Sequence, residues 1–340
     1  MLTISELPSR PMLETFPGDG SLREKLAYVA GYAESAPELF GVRPWSLVVT
    51  GSGIEVHLER SLRLKSADSD GRESTIAAGA ALFFLRLALR CHLLESEIVH
   101  AHSLDERSLV ARLTVVGRAS PSPSELEMFA ILTGEPGETI SVPPLDVLAP
   151  DLQEIGVAAR EEGAVVRYVQ NDFLRDATIS MLQAGDLLHY HAEEQRNAFR
   201  SWLGVTWDQA PRSGTSEFVT WEVASHELSE ALHGSPHQSG ALPAIAVICT
   251  DHDDEENWLK AGLALGHIHL LTSALGMCST VFNQPLQVPG MRARFARETG
   301  FRNFPQVVVR VGYGGTSNLR RRRIHDELSR HLIAEPHVRV

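Results

Sequence analysis

The sequence predicts an α+β protein built from two related halves, and a repeated segment carries that prediction. AGAAL at 78–82 returns as AGLAL at 261–265. Each copy lies in a run that is apolar on nearly all sides, which is typical of a helix buried in a core. Runs that favour β-strands lie before and after each copy. The order strand, buried helix, strand therefore occurs twice, and Gly79 and Gly262 mark an offset of 183 residues.

The first half contains a predicted hairpin and a strand after its buried helix. Residues 45–59 read WSLVVTGSGIEVHLE, with GSG between two alternating runs, which favours a tight turn. Residues 108–117 read SLVARLTVVG and predict a strand. We expect the central helix of this half over 72–93.

The second half shows the same pattern. The predicted strands are PAIAVICT at 243–250 and PQVVVRVGYG at 305–314, on either side of a central helix expected over 256–276. The acidic run DHDDEE at 251–256 indicates the start of that helix, where carboxylates interact favourably with the helix dipole. Gly79 and Gly262 would let the two central helices pack closely.

The segment between the two copies is predicted to be mainly helical. Residues 145–162 and 172–203 have helical periodicity, with Asp146 and Asp172 as candidate N-caps. Residues 208–220 are rich in loop-forming residues, and such a loop in a compact enzyme often forms a lid.

Composition and charge exclude several classes of protein. The chain has 340 residues, 43% of them hydrophobic, so it can bury a large core. Its net charge of −12 opposes binding to nucleic acid. The N-terminal segment lacks a basic start followed by an apolar run, and no apolar run is long enough to span a bilayer, so we expect a cytoplasmic protein that does not bind membranes. The three cysteines are expected to be reduced core residues.

Three blocks resemble the single-chain, duplicated branch of the nitroreductase family, the Acg type. They are SAPELFGVRPWSLVV at 35–49, DSDGRESTIAAGAALFFL at 68–85, and the region 258–327 that begins WLKAGLALGHIHLL. Their order and spacing are similar to those of that branch, and together they cover about half of the chain.

This resemblance implies a nitroreductase-like fold in which two fused halves form a pseudo-dimer. Residues 1–125 would form the first half with its N-terminal arm. Residues 126–340 would form the second, with a helical insert, the lid loop and a C-terminal arginine run. The resemblance also implies FMN in a cleft between the halves. Because one chain supplies both sides of that cleft, a second chain is not required to form the site.

The resemblance points to 275–285, LGMCSTVFNQP, as the segment along the flavin ring. Gly276 would permit close approach of the cofactor, and Ser279 and Asn283 would hydrogen-bond to ring heteroatoms. The same residues are also compatible with an ordinary helix end, where Gly terminates the helix and Asn forms a turn. The sequence leaves both interpretations open.

The flavin phosphate is where the chain departs most from its apparent relatives. The segment TGEPGET at 133–139 has no basic residue where the Acg type has an arginine clamp. Arg43, Arg321 and Arg323 are then the candidate phosphate ligands. Glu38 stands where the family has a phosphate-binding Ser, and Arg43 would have to offset its charge. The arginine run is equally compatible with a solvated surface.

Two functions follow from these observations. The first is an FMN-dependent oxidoreductase that transfers hydride from NAD(P)H to a small organic acceptor. The second is a flavin-sequestering or flavin-poor binding protein with little turnover, which the missing clamp favours. The sequence specifies no catalytic residue, no acceptor and no preference between NADH and NADPH.

No metal site is predicted. His-x-His occurs three times, at 100–102, 189–191 and 267–269. Residues two apart point in different directions on a helix. The two histidines within each of the last two pairs therefore cannot bind the same ion. The first pair lacks a nearby third ligand of the kind that zinc requires.

Overall fold

The two sheets and the central helices follow the strand and helix patterns of the sequence. The computed structural model describes residues 16–37, 43–59, 68–101, 108–134, 140–145, 147–170, 172–191 and 244–317. Helix α1 (Leu22–Ala30) begins with a capping box, in which Ser21 and Glu24 satisfy each other's backbone amides. A 3₁₀ turn at Gly31–Ser35 follows it.

The first sheet has four antiparallel strands in the order β1-β2-β4-β3. These are β1 (Trp45–Val49), β2 (Gly53–Leu58), β3 (Leu94–His100) and β4 (Leu109–Arg118). The predicted hairpin at GSG is confirmed: Val49 pairs with Ile54, and the Thr50 amide donates to the Gly53 carbonyl. An added Cβ at Gly53 would lie 2.1 Å from the Leu113 carbonyl oxygen, so only glycine fits there.

The second sheet repeats this strand order. Strands β6 (Val165–Tyr168), β7 (Ala244–Thr250), β9 (Phe304–Ser317) and β8 (Cys278–Val281) are neighbours in the order β6-β7-β9-β8, all antiparallel. A fifth strand, β5, spans Ile140–Leu145 and pairs with the distal part of β9. Both sheets therefore place the strand after the central helix next to the last strand of the half.

The two central helices occupy equivalent positions in the repeat. Helix α2 spans Arg72–Cys91, and α6 spans Glu255–Ala274, so both bounds differ by the predicted offset. The residue two positions after each helix, Leu93 or Gly276, has a positive φ, 63° and 77° respectively. The predicted central helices are confirmed.

The helices cross at the two glycines. A Cβ added to Gly79 would meet the Leu259 carbonyl oxygen at 2.4 Å, and one added to Gly262 would meet the Ile76 carbonyl oxygen at 2.1 Å. Each glycine therefore contacts the equivalent glycine of the other helix. It also contacts the residue three positions before that equivalent glycine. This reciprocal contact is what a local two-fold axis requires, and it leaves no space for a side chain at either position.

Most of the protein core surrounds this crossing. Leu82, Leu85 and Leu89 of α2 are fully buried, as are Ile268 and Thr272 of α6. By length and composition α2 could also cross a membrane, but 83% of its most apolar window is buried inside the protein. It is a core helix.

The remaining helices frame the two sheets. They are α3 (Pro123–Thr133), α4 (Ala149–Glu161), α5 (Asp172–His191), α7 (Gln284–Gln287) and α8 (Pro289–Thr299). The predicted start of a helix at 145 is wrong, because residues 140–145 form β5 and α4 begins at Ala149 after the N-cap Leu148. The helix predicted from Asp172 is confirmed to His191. The predicted lid at 208–220 lies outside the described residues.

Candidate functional site

The segment expected along a flavin ring forms a helix end followed by a short edge strand. Helix α6 ends at Ala274, and Gly276 turns the chain with a φ of 77°. Among the described residues, no atom lies within 4 Å of a Cβ added to Gly276. Strand β8 follows, and within the described part of the chain it pairs only with β9. An edge strand presents backbone N–H and C=O groups that a planar ligand can use.

The side chain of Ser279 is positioned by the central helix. His269 of α6 and Ser279 of β8 hydrogen-bond through Nδ1 and Oγ at 3.1 Å. The His269 ring is roughly parallel to that of Phe84 from α2, with centroids 6.4 Å apart. One helix from each half therefore contributes to holding Ser279. His269 was missed as a site residue, although the helix–turn–strand pattern after it would have placed it beside β8.

Asn283 is placed differently from Gly276 and Ser279. Its side chain is buried, and its amide nitrogen donates to both carboxylate oxygens of Glu73 at 2.7 and 2.9 Å. Its amide oxygen accepts from the Val308 backbone N–H at 3.3 Å. Both ends of the Asn283 amide are thus hydrogen-bonded inside the protein.

The partner of Asn283 belongs to a buried polar network at the start of α2. Arg72 is 1% exposed and forms an ion pair with Glu73. Its guanidinium also donates hydrogen bonds to two oxygens of Gln306, the backbone carbonyl at 2.7 Å and the side-chain amide oxygen at 3.0 Å. Gln306 in turn donates to Asp253 Oδ1 at 3.2 Å. A buried charge of this kind requires full pairing. Here the adjacent Glu73 supplies the counter-charge, and Gln306, 234 positions away, accepts further hydrogen bonds.

Asp68 terminates the loop before this helix. Its carboxylate accepts the backbone N–H of Glu73 at 2.8 Å and of Ser74 at 3.1 Å, and also the Ser74 hydroxyl. Burial raises the pKa of Asp68 to about 6, although the hydrogen bond from Ser74 opposes that shift. The Asp-x-x-Gly-Arg stretch therefore joins the two halves and caps a helix, roles that its spacing alone did not indicate.

A second polar cluster involves the other histidine of the HIH segment. His267 Nδ1 lies 3.0 Å from Glu162 Oε1, and the same oxygen accepts from Arg86 at 2.5 Å. The His267 ring stacks on Phe83 at 4.6 Å. Burial alone would raise the pKa of Glu162, but the hydrogen bond from His267 and the charge of Arg86 outweigh it and hold the pKa below its usual value.

The two histidines of the HIH segment have different partners. His267 and His269 point to Glu162 and Ser279, on different sides of α6. Over the described ranges, no group of three or more His, Cys, Asp or Glu is arranged to hold a metal ion.

The predicted phosphate ligands are only partly described. Arg43 is the first residue of the described segment 43–59 and lies two positions before β1. Arg321 and Arg323 lie outside the described residues, and so does most of the segment 133–139. Their contact with a flavin phosphate stays a prediction.

Comparison with known proteins supports the resemblance to nitroreductases, without specifying a branch of that family. Two Mycobacterium tuberculosis proteins, from strains CDC 1551 / Oshkosh and ATCC 25618 / H37Rv, are provisionally named NAD(P)H nitroreductases. Each is 24% identical to this chain over 299 aligned residues, and the alignment covers 85% of this chain and 85% of the mycobacterial protein. No family model matches the chain.

Two solved structures also match, at low similarity. The hypothetical oxidoreductase YcnD from Bacillus subtilis is 14% identical and aligns with 57% of this chain and 67% of its own, with a TM-score of 0.30. The FMN-dependent nitroreductase NfnB from Mycobacterium smegmatis, solved with NADPH, is 15% identical and aligns with 56% and 88%, with a TM-score of 0.34. These scores are too low to carry an argument. In sequence, the chain is therefore similar to proteins named as NAD(P)H nitroreductases over most of its length.

Proposed function

We propose that the protein is an FMN-dependent oxidoreductase that transfers hydride from NAD(P)H to a small organic acceptor. The observation that carries the proposal is the match, over 85% of both chains, to proteins named as NAD(P)H nitroreductases. The duplicated arrangement of sheets and central helices supports it, because two such halves can enclose a cleft within one chain.

The residues at the end of α6 are compatible with the ring of a flavin. Gly276 leaves its surroundings open, Cys278 is exposed, and the β8 edge is available to a planar ligand. In this proposal the backbone of β8 would hold the ring, and Ser279, oriented by His269, would donate or accept one hydrogen bond. FMN, when bound, supplies the two-electron chemistry that side chains lack.

The phosphate would be held by cations. A flavin phosphate carries nearly two negative charges, and burying it without cations costs several kcal/mol. Arg43, Arg321 and Arg323 are the proposed ligands. We further propose that residues 1–125 and 126–340 are the two halves of a pseudo-dimer, that FMN lies between them, and that the chain acts without a second copy.

The visible spectrum of the purified full chain, followed by NADH and NADPH oxidation with a quinone or nitroaromatic acceptor, tests this function. We expect flavin absorbance bands, in the protein as purified or after FMN is added, and oxidation that depends on the acceptor. Bound FMN without turnover would favour the flavin-sequestering alternative. A colourless protein that does not bind added FMN would contradict both the proposed cofactor and the proposed oxidoreductase activity.

A further inference from the structure

A cavity of about 560 Å³ opens where α2, α3, α4 and α6 meet β3. This volume is within the range of sites that bind small molecules. Its apolar lining includes Leu87, Met128 and Leu271, which are almost fully buried, and Val157, which is 44% exposed. Gly276, Ser279 and Arg43 of the proposed flavin cleft do not line it.

The charged lining of this cavity is predominantly acidic. Two arginines face five carboxylates, so the lining carries an excess of three negative charges when its histidine is neutral. The charged side chains are Arg86, Arg90, Glu95, Glu125, Glu154, Glu161 and Glu162. A cavity with this balance attracts cations and repels anions.

Both arginines are already paired inside the protein. Arg86 donates to Glu162 at 2.5 Å and lies over the Phe83 ring, 5.3 Å from its centroid. Arg90 forms ion pairs with Glu95 and Glu125, and hydrogen bonding to Glu125 raises the pKa of Arg90 further. An anionic ligand would therefore have to displace carboxylates that already hold these guanidinium groups.

The remaining acidic groups lie on one face of α4. Glu154, Val157, Ala158 and Glu161 follow the spacing of a single helical stripe, and all four line the cavity. Glu154 and Glu161 are exposed, so they are available to a positively charged group at the mouth.

A polar group inside the cavity also lacks a partner. Ser96 is 7% exposed and lines the cavity, and its Oγ has no hydrogen-bond partner among the described residues. A buried hydroxyl without a partner carries an energetic penalty that a ligand N–H would remove. By the repeat offset, Ser96 corresponds to Ser279, whose hydroxyl is hydrogen-bonded to His269. The two related positions are therefore in different environments.

We propose that this cavity is a second ligand site, which binds an organic amine with an apolar body. The exposed carboxylates of Glu154 and Glu161 would neutralise its ammonium group, the apolar lining would bury its body, and Ser96 would accept a hydrogen bond from an N–H group. The inference rests on the cavity alone and holds whether or not the protein binds FMN.

Isothermal titration of the full chain with tryptamine and with indole-3-propionate tests the proposal. These probes share an indole ring and carry opposite charges. We expect tryptamine to bind, more weakly at higher salt, and at least tenfold more tightly than indole-3-propionate. Glu154→Gln with Glu161→Gln should weaken tryptamine binding at least tenfold. Ser96→Ala should weaken it about fivefold, the effect of one hydrogen bond.

Glu97→Gln with Glu298→Gln is the matched control. Both residues are exposed, neither lines the cavity, and the double substitution removes the same charge. We expect it to leave tryptamine binding unchanged. The proposal is overturned if tryptamine does not bind at millimolar concentration, if the two indoles bind equally, or if both double variants weaken tryptamine alike. Titration with FMN, which should be unaffected by all three variants, separates this result from a failure of the flavin site.

Discussion

Arg72 is the residue whose neighbours explain most about how the two halves are joined. Its guanidinium reaches Gln306 of β9 from the first turn of α2, while Glu73 beside it accepts from Asn283. The sequence indicated this region through the Asp-x-x-Gly-Arg stretch. It could not show which distant residues complete the pairing, because contacts over more than 200 positions have no local signal.

Glu73→Gln should destabilise the protein by about 3 kcal/mol. The substitution removes the carboxylate that neutralises Arg72, and it leaves a buried guanidinium without a counter-ion. Urea unfolding at neutral pH measures the change. Glu97→Gln, on the exposed face of β3, is the control and should shift the free energy of unfolding by less than about 0.5 kcal/mol. Equal effects of the two substitutions would contradict the role given to the network.

Asp68 should make stability fall as pH rises from about 4 to about 6. Burial raises its folded pKa to about 6 from an ordinary value of 3.8, so in this window the unfolded chain has released a proton that the folded chain retains. Stability is then lost with rising pH, by up to about 3 kcal/mol for this group.

The comparison that isolates this effect is Asp68→Asn against the parent chain, by urea unfolding at several pH values. The stability of the parent chain relative to the variant should be highest near pH 4 and decline to a plateau above pH 7. Parallel profiles would mean that Asp68 titrates normally in the folded protein.

Arg321→Ala with Arg323→Ala should weaken FMN binding at least tenfold, or about 1.4 kcal/mol. The expectation comes from the resemblance and from the missing basic residues at 133–139. Flavin fluorescence quenching measures the affinity, and its salt dependence should also decrease because a charge contact is lost. Unchanged affinity would identify the arginine run as a solvated surface.

At the scale of elements, the close crossing of α2 and α6 is the feature most open to test. Gly262→Ala should destabilise the protein by about 3 kcal/mol, because the new Cβ would lie 2.1 Å from the Ile76 carbonyl oxygen unless the helices separate. Thermal and urea unfolding would report the loss.

Gly156→Ala is the matched substitution in another helix. Gly156 lies inside α4, and the nearest atom to an added Cβ is 3.5 Å away on a flexible arginine. Alanine should there stabilise the protein by about 0.5–1 kcal/mol, through its higher helix propensity. A similar loss at both positions would show that the crossing is looser than described.

The elements that sequence predicted well are those with a strong local pattern. Both central helices and their flanking strands were predictable, because long apolar runs and segments rich in β-branched residues are compatible with few other secondary structures. The strand β5 was missed, since VPPL contains two prolines and resembles a loop. The start of α4 was misplaced because Asp146 is a candidate N-cap by residue type, whereas the N-cap is Leu148.

The site was less predictable than the fold. Gly276 was placed in the site by the resemblance, and its positive φ after α6 agrees with the alternative of a glycine that ends a helix. The partner of Asn283 could not be predicted, because Glu73 is brought to it by the packing of one half on the other. His269 and Ser279, in contrast, lie in the same half and ten positions apart. Side chains that act across such a contact have no signature in local spacing.

At the scale of the whole molecule, the chain contains two copies of one arrangement of helix and sheet, and the surroundings of the two copies differ. Helices α2 and α6 both have 20 residues and are followed by the same turn geometry, and four strands of the second sheet repeat the order of the first. Around the end of α2, however, the cavity is acidic and its arginines are paired. A flavin phosphate would be repelled there, so a duplicated chain with two related positions should hold one flavin.

Equilibrium titration of the full apo-chain with FMN, with the mass of the complex measured in parallel, tests this account most directly. The account predicts saturation at one FMN per chain in a species that needs only one copy of the protein. Two FMN per chain would contradict the differentiation of the two positions. Absence of binding, or binding only in a dimer, would contradict the claim that one duplicated chain forms a flavin cleft.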